Sequence, residues 1–191
     1  PVIVFIEDVE LGDQSAWPAL QGSHNLQNAR AAAAACSTLG LSAAEIAAGL
    51  ANYPGLPHRM ERIAEKAGVL WVNDSKATNP ASTAPALAAY PNTHWIVGGK
   101  AKSDDLSAVL PYLNDVRAAY LIGEAAPLFA GILAPLLPVT RSGTLAQAVA
   151  DAAAAARPGD TVLLSPACAS FDQFRDFEAR GDAFRTLVEA L

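Results

Sequence analysis

Short apolar runs separated by helix-forming segments dictate what most of this chain can become. Residues 69–72, 95–97, 118–122 and 161–164 are rich in β-branched and aromatic side chains, which marks them as strands. Helices are expected between them over 106–113, 125–133 and 145–156, the last opened by a capping box at Thr144-Leu145-Ala146-Gln147. Residues 138–140 add a short strand, and a final helix is expected over 171–191 with an interruption at Gly181. Short apolar strands alternating with helices imply an α/β fold, a largely parallel sheet covered on both faces. Residues 59–65 read as a further strand, joined to 69–72 by an Ala67-Gly68 turn, so this pair is expected to be antiparallel.

The first quarter of the chain follows another pattern. Residues 2–6 read as a strand and 25–39 as a helix stopped by Gly40. Ser42-Ala43-Ala44-Glu45 is a capping box opening a helix that ends near Leu50. Pro54, Gly55 and Pro57 mark a linker. We therefore expect two parts, residues 1–53 and 54–191. The chain opens on Pro1 rather than Met, which suggests a start inside a longer protein.

Composition removes several classes of function. Lys+Arg 13 against Asp+Glu 19 gives a net charge of −6, so the chain lacks the basic footprint of a nucleic-acid binder. No apolar run reaches the length needed to span a bilayer. Cys36 and Cys168 have no Cys or His at ligand spacing, so no metal site is expected in this chain, and a reducing compartment fits best.

In parallel sheets ligands sit beyond the carboxyl ends of the strands. Here those ends carry Asn73-Asp74-Ser75-Lys76-Ala77-Thr78-Asn79, Gly98-Gly99-Lys100-Ala101-Lys102, Gly123-Glu124 and Ser165-Pro166-Ala167-Cys168-Ala169-Ser170. In a chain poor in cations, three lysines at strand ends describe a small-anion site. Plainer readings stand beside this one. Asn79-Pro80 fits a helix N-cap followed by Pro at the first helical position. Ser170 to Gln173 fits a capping box as well as a ligand contact. Gly98-Gly99 says only that backbone bends or approaches something closely. Phe174 and Phe177 suit a packed helix face, and His24, His58 and His94 are each isolated in sequence.

The exact strings say more. Gly22-Ser23-His24-Asn25-Leu26-Gln27-Asn28 and Gly55 through Glu61 come first, then Asn73 through Asn79, Gly98-Gly99 with Lys102, and Leu164 through Phe174. In that order they resemble the Mur ligases, cytoplasmic enzymes that extend the peptidoglycan stem peptide. Asp-Ser-Lys-Ala-Thr-Asn and Ser-Pro-Ala-Cys-Ala-Ser resemble the branch that adds D-glutamate to UDP-N-acetylmuramoyl-L-alanine.

The resemblance implies a Rossmann-like C-terminal domain over 54–191, preceded by the tail of a central ATPase domain over 1–53. It implies ATP and Mg2+ as cofactors, an acyl phosphate on the acceptor carboxylate, and attack by the amine of D-glutamate. The family's phosphate-binding loop is absent from these residues, so the main Mg2+ ligands are expected elsewhere and the fragment alone is expected to be inactive. Asn25, Asn28, Arg59 and Asp74 resemble ATP-contacting residues. Lys76, Thr78, Lys102, Ser170 and Phe177 resemble the D-glutamate site, with Lys102 preferred to Lys100 by its distance from the glycine pair. A monomer is expected. Another Mur ligase, a folylpolyglutamate synthase-like ligase, or a non-catalytic nucleotide- or anion-binding module remain alternatives. A dinucleotide-dependent oxidoreductase does not, since no Gly-x-Gly-x-x-Gly follows a strand.

Overall fold

The computed structural model describes residues 5–191, which divide into two compact units, one ending at Gly55 and the other spanning Leu56–Leu191. The strand expected over 2–6 falls mostly outside the described residues, and Ile6 instead opens a 3-10 turn, Ile6–Asp8.

In the first unit, helices α1 (Ser23–Thr38) and α2 (Ala43–Asn52) follow a second 3-10 turn, Gln14–Ala16. The capping box forms: Ser42 Oγ accepts from the Glu45 N–H, and Glu45 answers the Ser42 N–H at 2.8 Å. Helix α1 buries Ala29 and Ala33, one turn apart, so its alanines serve close packing. The turn-rich approach to α1 is held by two glutamine amides. Gln21 donates to the carbonyls of Gln14 and Trp17, and Gln14 donates to those of Leu20 and Gly22.

The second unit is built on one six-stranded sheet of order β1-β2-β6-β3-β4-β5. Its strands are β1 (Glu61–Lys66), β2 (Val69–Asn73), β3 (Thr93–Gly98), β4 (Val116–Ile122), β5 (Val139–Gly143) and β6 (Thr161–Leu164). Only β1 runs antiparallel, paired with β2; every other pairing is parallel. The two-residue periodicity of a strand sorts the core. Val72, Trp95, Val97, Ala119, Leu121 and Leu163 face one layer, with helices α3 (Pro80–Ala89) and α4 (Ala126–Leu133) and a 3-10 turn, Leu110–Asp115. Val69, Trp71, Ile96, Tyr120, Val162 and Leu164 face the other, with α5 (Leu145–Ala155) and α6 (Phe177–Glu189). Both faces are covered, which is why the central strands carry no polar alternation.

Two expected helices differ from the fold. The segment 106–113 forms turns and then the 3-10 segment Leu110–Asp115. Pro111 lies inside the expected span; it lacks an N–H and clashes with the preceding turn of an α-helix. The last helix begins at Phe177, not at 171, and runs through Gly181 without a break. Asp176 is its N-cap, accepting from the Ala179 N–H at 2.7 Å. At Thr144 only half a capping box forms, because the Gln147 amide turns forward to Asp151. No helix among the described residues is long and apolar enough to cross a membrane.

Candidate functional site

Strands β2, β6, β3 and β4 are parallel neighbours, so their carboxyl ends open on one rim. The loop after β2 carries Asp74, Lys76 and Thr78. Asn79 then caps α3, accepting from the Ser82 N–H at 2.9 Å, with Pro80 beginning the helix. The loop after β6, residues 165–176, lies across the rim as a strap. Its Pro166 carbonyl accepts from the Gly98 N–H, and Ala169 exchanges two backbone hydrogen bonds with Lys100 at 2.8 and 3.1 Å. Asp172 Oδ2 accepts from the Glu124 N–H at 2.9 Å, and the Gln173 amide reaches the Gly143 carbonyl at the end of β5. Gly98 and Gly99 both have positive φ, and a Cβ on either would overlap backbone, of Ile122 or of Ala169. The pair is there because strap and strand ends approach without room for side chains.

The Lys76 ammonium stands 3.9 Å over the Phe177 ring, and the Lys76 N–H donates to the His58 carbonyl. Phe177 meets the His58 ring edge-on. These contacts fix where the exposed Lys76 charge is presented. Ser170 is 2% exposed and ends the stretch of strap paired with Lys100. Its carbonyl accepts from the Gln173 and Phe174 N–H groups, so it closes a turn in the strap, and the capping role at the last helix belongs to Asp176. Lys100 is the lysine whose backbone pairs beside Ser170; Lys102 is exposed two residues further along the same loop. Thr78 is half-buried ahead of the α3 cap.

Asp74 is buried. Its Oδ1 accepts from the Met60 N–H at 3.2 Å and its Oδ2 from the Ser165 hydroxyl at 2.7 Å. Burial pushes its carboxyl up to about 7, against the pull of those two donors and of the Arg59 charge. Arg59 directly precedes Met60, whose N–H bonds Asp74. The folded state holds the Asp74 proton to about pH 7, whereas the unfolded chain releases it near the ordinary value of 3.8. Between those limits the folded state binds more protons, so this group's stabilising contribution is complete below about pH 4 and is lost as pH rises through 7. At about 1.4 kcal/mol per pH unit the loss is on the order of 4 kcal/mol. Asp74→Asn removes this dependence. Urea midpoints at pH 5 and pH 8 check it: the parent loses stability relative to the variant at the higher pH, and parallel behaviour of the two proteins refutes the assignment.

Four residues that pattern reading did not single out complete the rim. The Asn73 amide nitrogen lies 3.0 Å from His58 Nδ1 and 3.2 Å from both Glu61 Oε2 and the Gly181 carbonyl oxygen, and His58 Nε2 is 3.7 Å from Asp182. The Ser165 carbonyl accepts from the Trp95 indole N–H, and its hydroxyl holds Asp74. Ser75 and Arg180 bond to each other. A signal for Arg180 was present: Phe177, Arg180, Gly181, Phe184 and Val188 fall on one helical stripe. His94 is a structural residue, held between the Tyr120 hydroxyl and Asp160.

In the first unit, Asn25 and Asn28 lie one turn apart on α1, with the Asn28 amide 3.4 Å from Asn25 Oδ1 and the Asn25 amide donating to the Gln21 carbonyl. The Asn28 side chain is exposed. A cleft on this unit is lined by Glu7, Ser23, His24, Gln27 and Arg30, and neither asparagine is among its lining residues.

The sequence family described as Mur ligase, glutamate ligase domain, matches residues 58–168, more than half of the chain. The chain belongs to the Mur ligase family. Among its relatives, the UDP-N-acetylmuramoylalanine--D-glutamate ligase of Novosphingobium aromaticivorans is 62% identical over 186 residues, covering 97% of this chain and 42% of that protein. The protein of the same name from Zymomonas mobilis is 51% identical over 191 residues, covering 100% of this chain and 43% of its own length. The chain thus spans less than half the length of these relatives. Among solved structures, the UDP-N-acetylmuramate-alanine ligase of Thermotoga maritima superposes with TM-score 0.63 at 13% identity, covering 88% of this chain and 38% of that one. The folylpolyglutamate synthase of the same organism gives 0.57 at 17%, covering 89% and 40%. At these identities the superpositions show a shared fold.

Proposed function

We propose that this chain is the C-terminal part of an ATP-dependent ligase that joins D-glutamate to UDP-N-acetylmuramoyl-L-alanine in cytoplasmic peptidoglycan synthesis. The observation that carries this reading is the rim of the second unit: Lys76 steered by Phe177, and Ser170 on a strap paired to the lysine-bearing loop after β3. Ammonium groups on such a rim suit the two carboxylates of a small amino acid, and the hydroxyls of Thr78 and Ser170 add directional contacts. The names of relatives at 62% and 51% identity support the same substrate. Residues 54–191 would form the closing domain, with Lys76, Thr78, Lys102, Ser170 and Phe177 holding D-glutamate.

For ATP, Asn28 and Asn25 would meet the adenine, and Arg59 and Asp74 the phosphate and ribose. Residues 1–53 would be the end of a central ATP-binding domain whose phosphate loop and Mg2+ ligands lie elsewhere in the full-length protein. ATP supplies the phosphoryl group that activates the acceptor carboxylate. The residues of this rim bind and orient: they hold the amino acid by its charges and keep its amine free to attack, a task of positioning rather than covalent catalysis.

The test is phosphate release by the full-length protein with ATP, Mg2+ and UDP-N-acetylmuramoyl-L-alanine. D-glutamate is expected to support turnover and L-glutamate is not. Turnover with a folate and L-glutamate in place of these substrates would overturn the reading in favour of a folylpolyglutamate synthase-like ligase.

A further inference from the structure

Arg180 is the most buried charge of the second unit, 1% exposed and on the inward stripe of α6. Among the described residues it has no carboxylate within ion-pair distance, and its hydrogen bonds go to neutral groups. Nε–H donates to Ser75 Oγ at 2.9 Å, Nη2 to the Ser75 carbonyl at 2.9 Å, and Nη1 to the Cys168 carbonyl at 3.1 Å. Gly99 is so placed that a Cβ there would come within 3.2 Å of Nη1. One planar group therefore bonds the loops after β2 and β6 and lies near Gly99 in the loop after β3, the three adjacent strand ends that carry Lys76, Ser170 and Lys100. Ser75 passes the link on, its hydroxyl donating to the Phe177 carbonyl at 2.8 Å.

Burying an unpaired guanidinium is unfavourable, and the loss of hydration pulls its proton affinity down to about 10. A core brace made of apolar side chains would avoid that penalty. What a guanidinium offers instead is a rigid fork of donors with fixed angles, able to set two loop backbones in register with each other. Ser75 is followed directly by Lys76, and Cys168 stands two residues before Ser170.

We propose that Arg180 is the positioning residue of the rim: it locks the Lys76 loop to the Ser170 strap, so that both present their groups to one ligand in fixed relative geometry. This rests on the D-glutamate reading for the identity of that ligand, but the lock itself does not. A lysine at this position keeps the charge and loses the fork, so Arg180→Lys separates geometry from electrostatics.

Two measurements on full-length protein carrying Arg180→Lys or Arg180→Gln test the lock. The first is amide hydrogen exchange. In both variants faster exchange is expected at Lys76, Lys100 and Ala169, whose N–H groups bond the carbonyls of His58, Ala169 and Lys100, with unchanged exchange at Trp95 and Leu121 in the central strands. The second is kinetic. The KM for D-glutamate should rise on the order of tenfold or more in both variants, as for losing hydrogen bonds from a charged group. Unaltered exchange at the three amides overturns the lock whatever the substrate. Rescue of the KM by lysine overturns the geometric role in favour of charge alone. Loosened loops with an unchanged KM overturn the claim that the lock serves the ligand. Parent protein that does not turn over D-glutamate defeats the substrate reading, and the exchange data then judge the lock independently.

Discussion

Replacing Lys76 by alanine in the full-length protein lowers ligation of D-glutamate by about 10²-fold or more, the scale of losing one preorganised charge contact. Lys76 is exposed, so its removal opens no cavity and the fold survives; unchanged thermal unfolding confirms that. The loss arises because the charge is not free to wander. Its backbone is tied to the His58 carbonyl and its ammonium stands over Phe177. The effect should fall on kcat/KM for D-glutamate and spare the KM for ATP. Lys76→Arg should not restore activity, because a planar fork presents its charge with different shape and reach. Near-normal turnover in Lys76→Ala would remove this residue from the site and leave the strap without its proposed partner.

Gly181→Ala is expected to destabilise the protein by about 2–3 kcal/mol, against the usual direction for this substitution. In an open helix Ala is favoured over Gly by about 1 kcal/mol. Here a Cβ would overlap the imidazole of His58. That ring is buried and held by Asn73, so it cannot swing aside without breaking a buried hydrogen bond. Urea denaturation decides between packing and propensity by the sign alone. A double variant with His58→Ala should recover part of the loss, since the two residues are in contact and their effects do not add. A Gly181→Ala protein more stable than its parent would show that α6 and the His58 segment are not packed as described.

How much of this was legible beforehand follows from how local each signal is. The strands β2, β3, β4 and β6, the antiparallel hairpin at Ala67-Gly68, the Ser42 capping box and the Asn79 cap all stand where pattern placed them, because each depends on residues within a turn or two. Errors came where a local signal met a competing one. Pro111 prevented an α-helix that apolar spacing favoured. Gly181 looked like a helix breaker and is instead a contact point for a ring 123 residues away in sequence. Ser170 matched a capping box, yet the chain first crosses the rim and the cap falls to Asp176.

The site divides in the same way. That lysines and hydroxyls follow the apolar strands was plain from the chain, and a parallel sheet gathers its strand ends on one edge. The alternation of apolar runs and helices, and the residue strings that mark the family, were fixed by the chain alone. The sheet order, which sets β6 between β2 and β3 and so brings the Ser170 strap beside the Lys76 loop, was decided only in three dimensions. So were the buried place of Arg180, the proton held by Asp74 and the fit of Gly181 to His58. Each of these depends on which distant atoms share a desolvated space, and linear order carries no direct record of that.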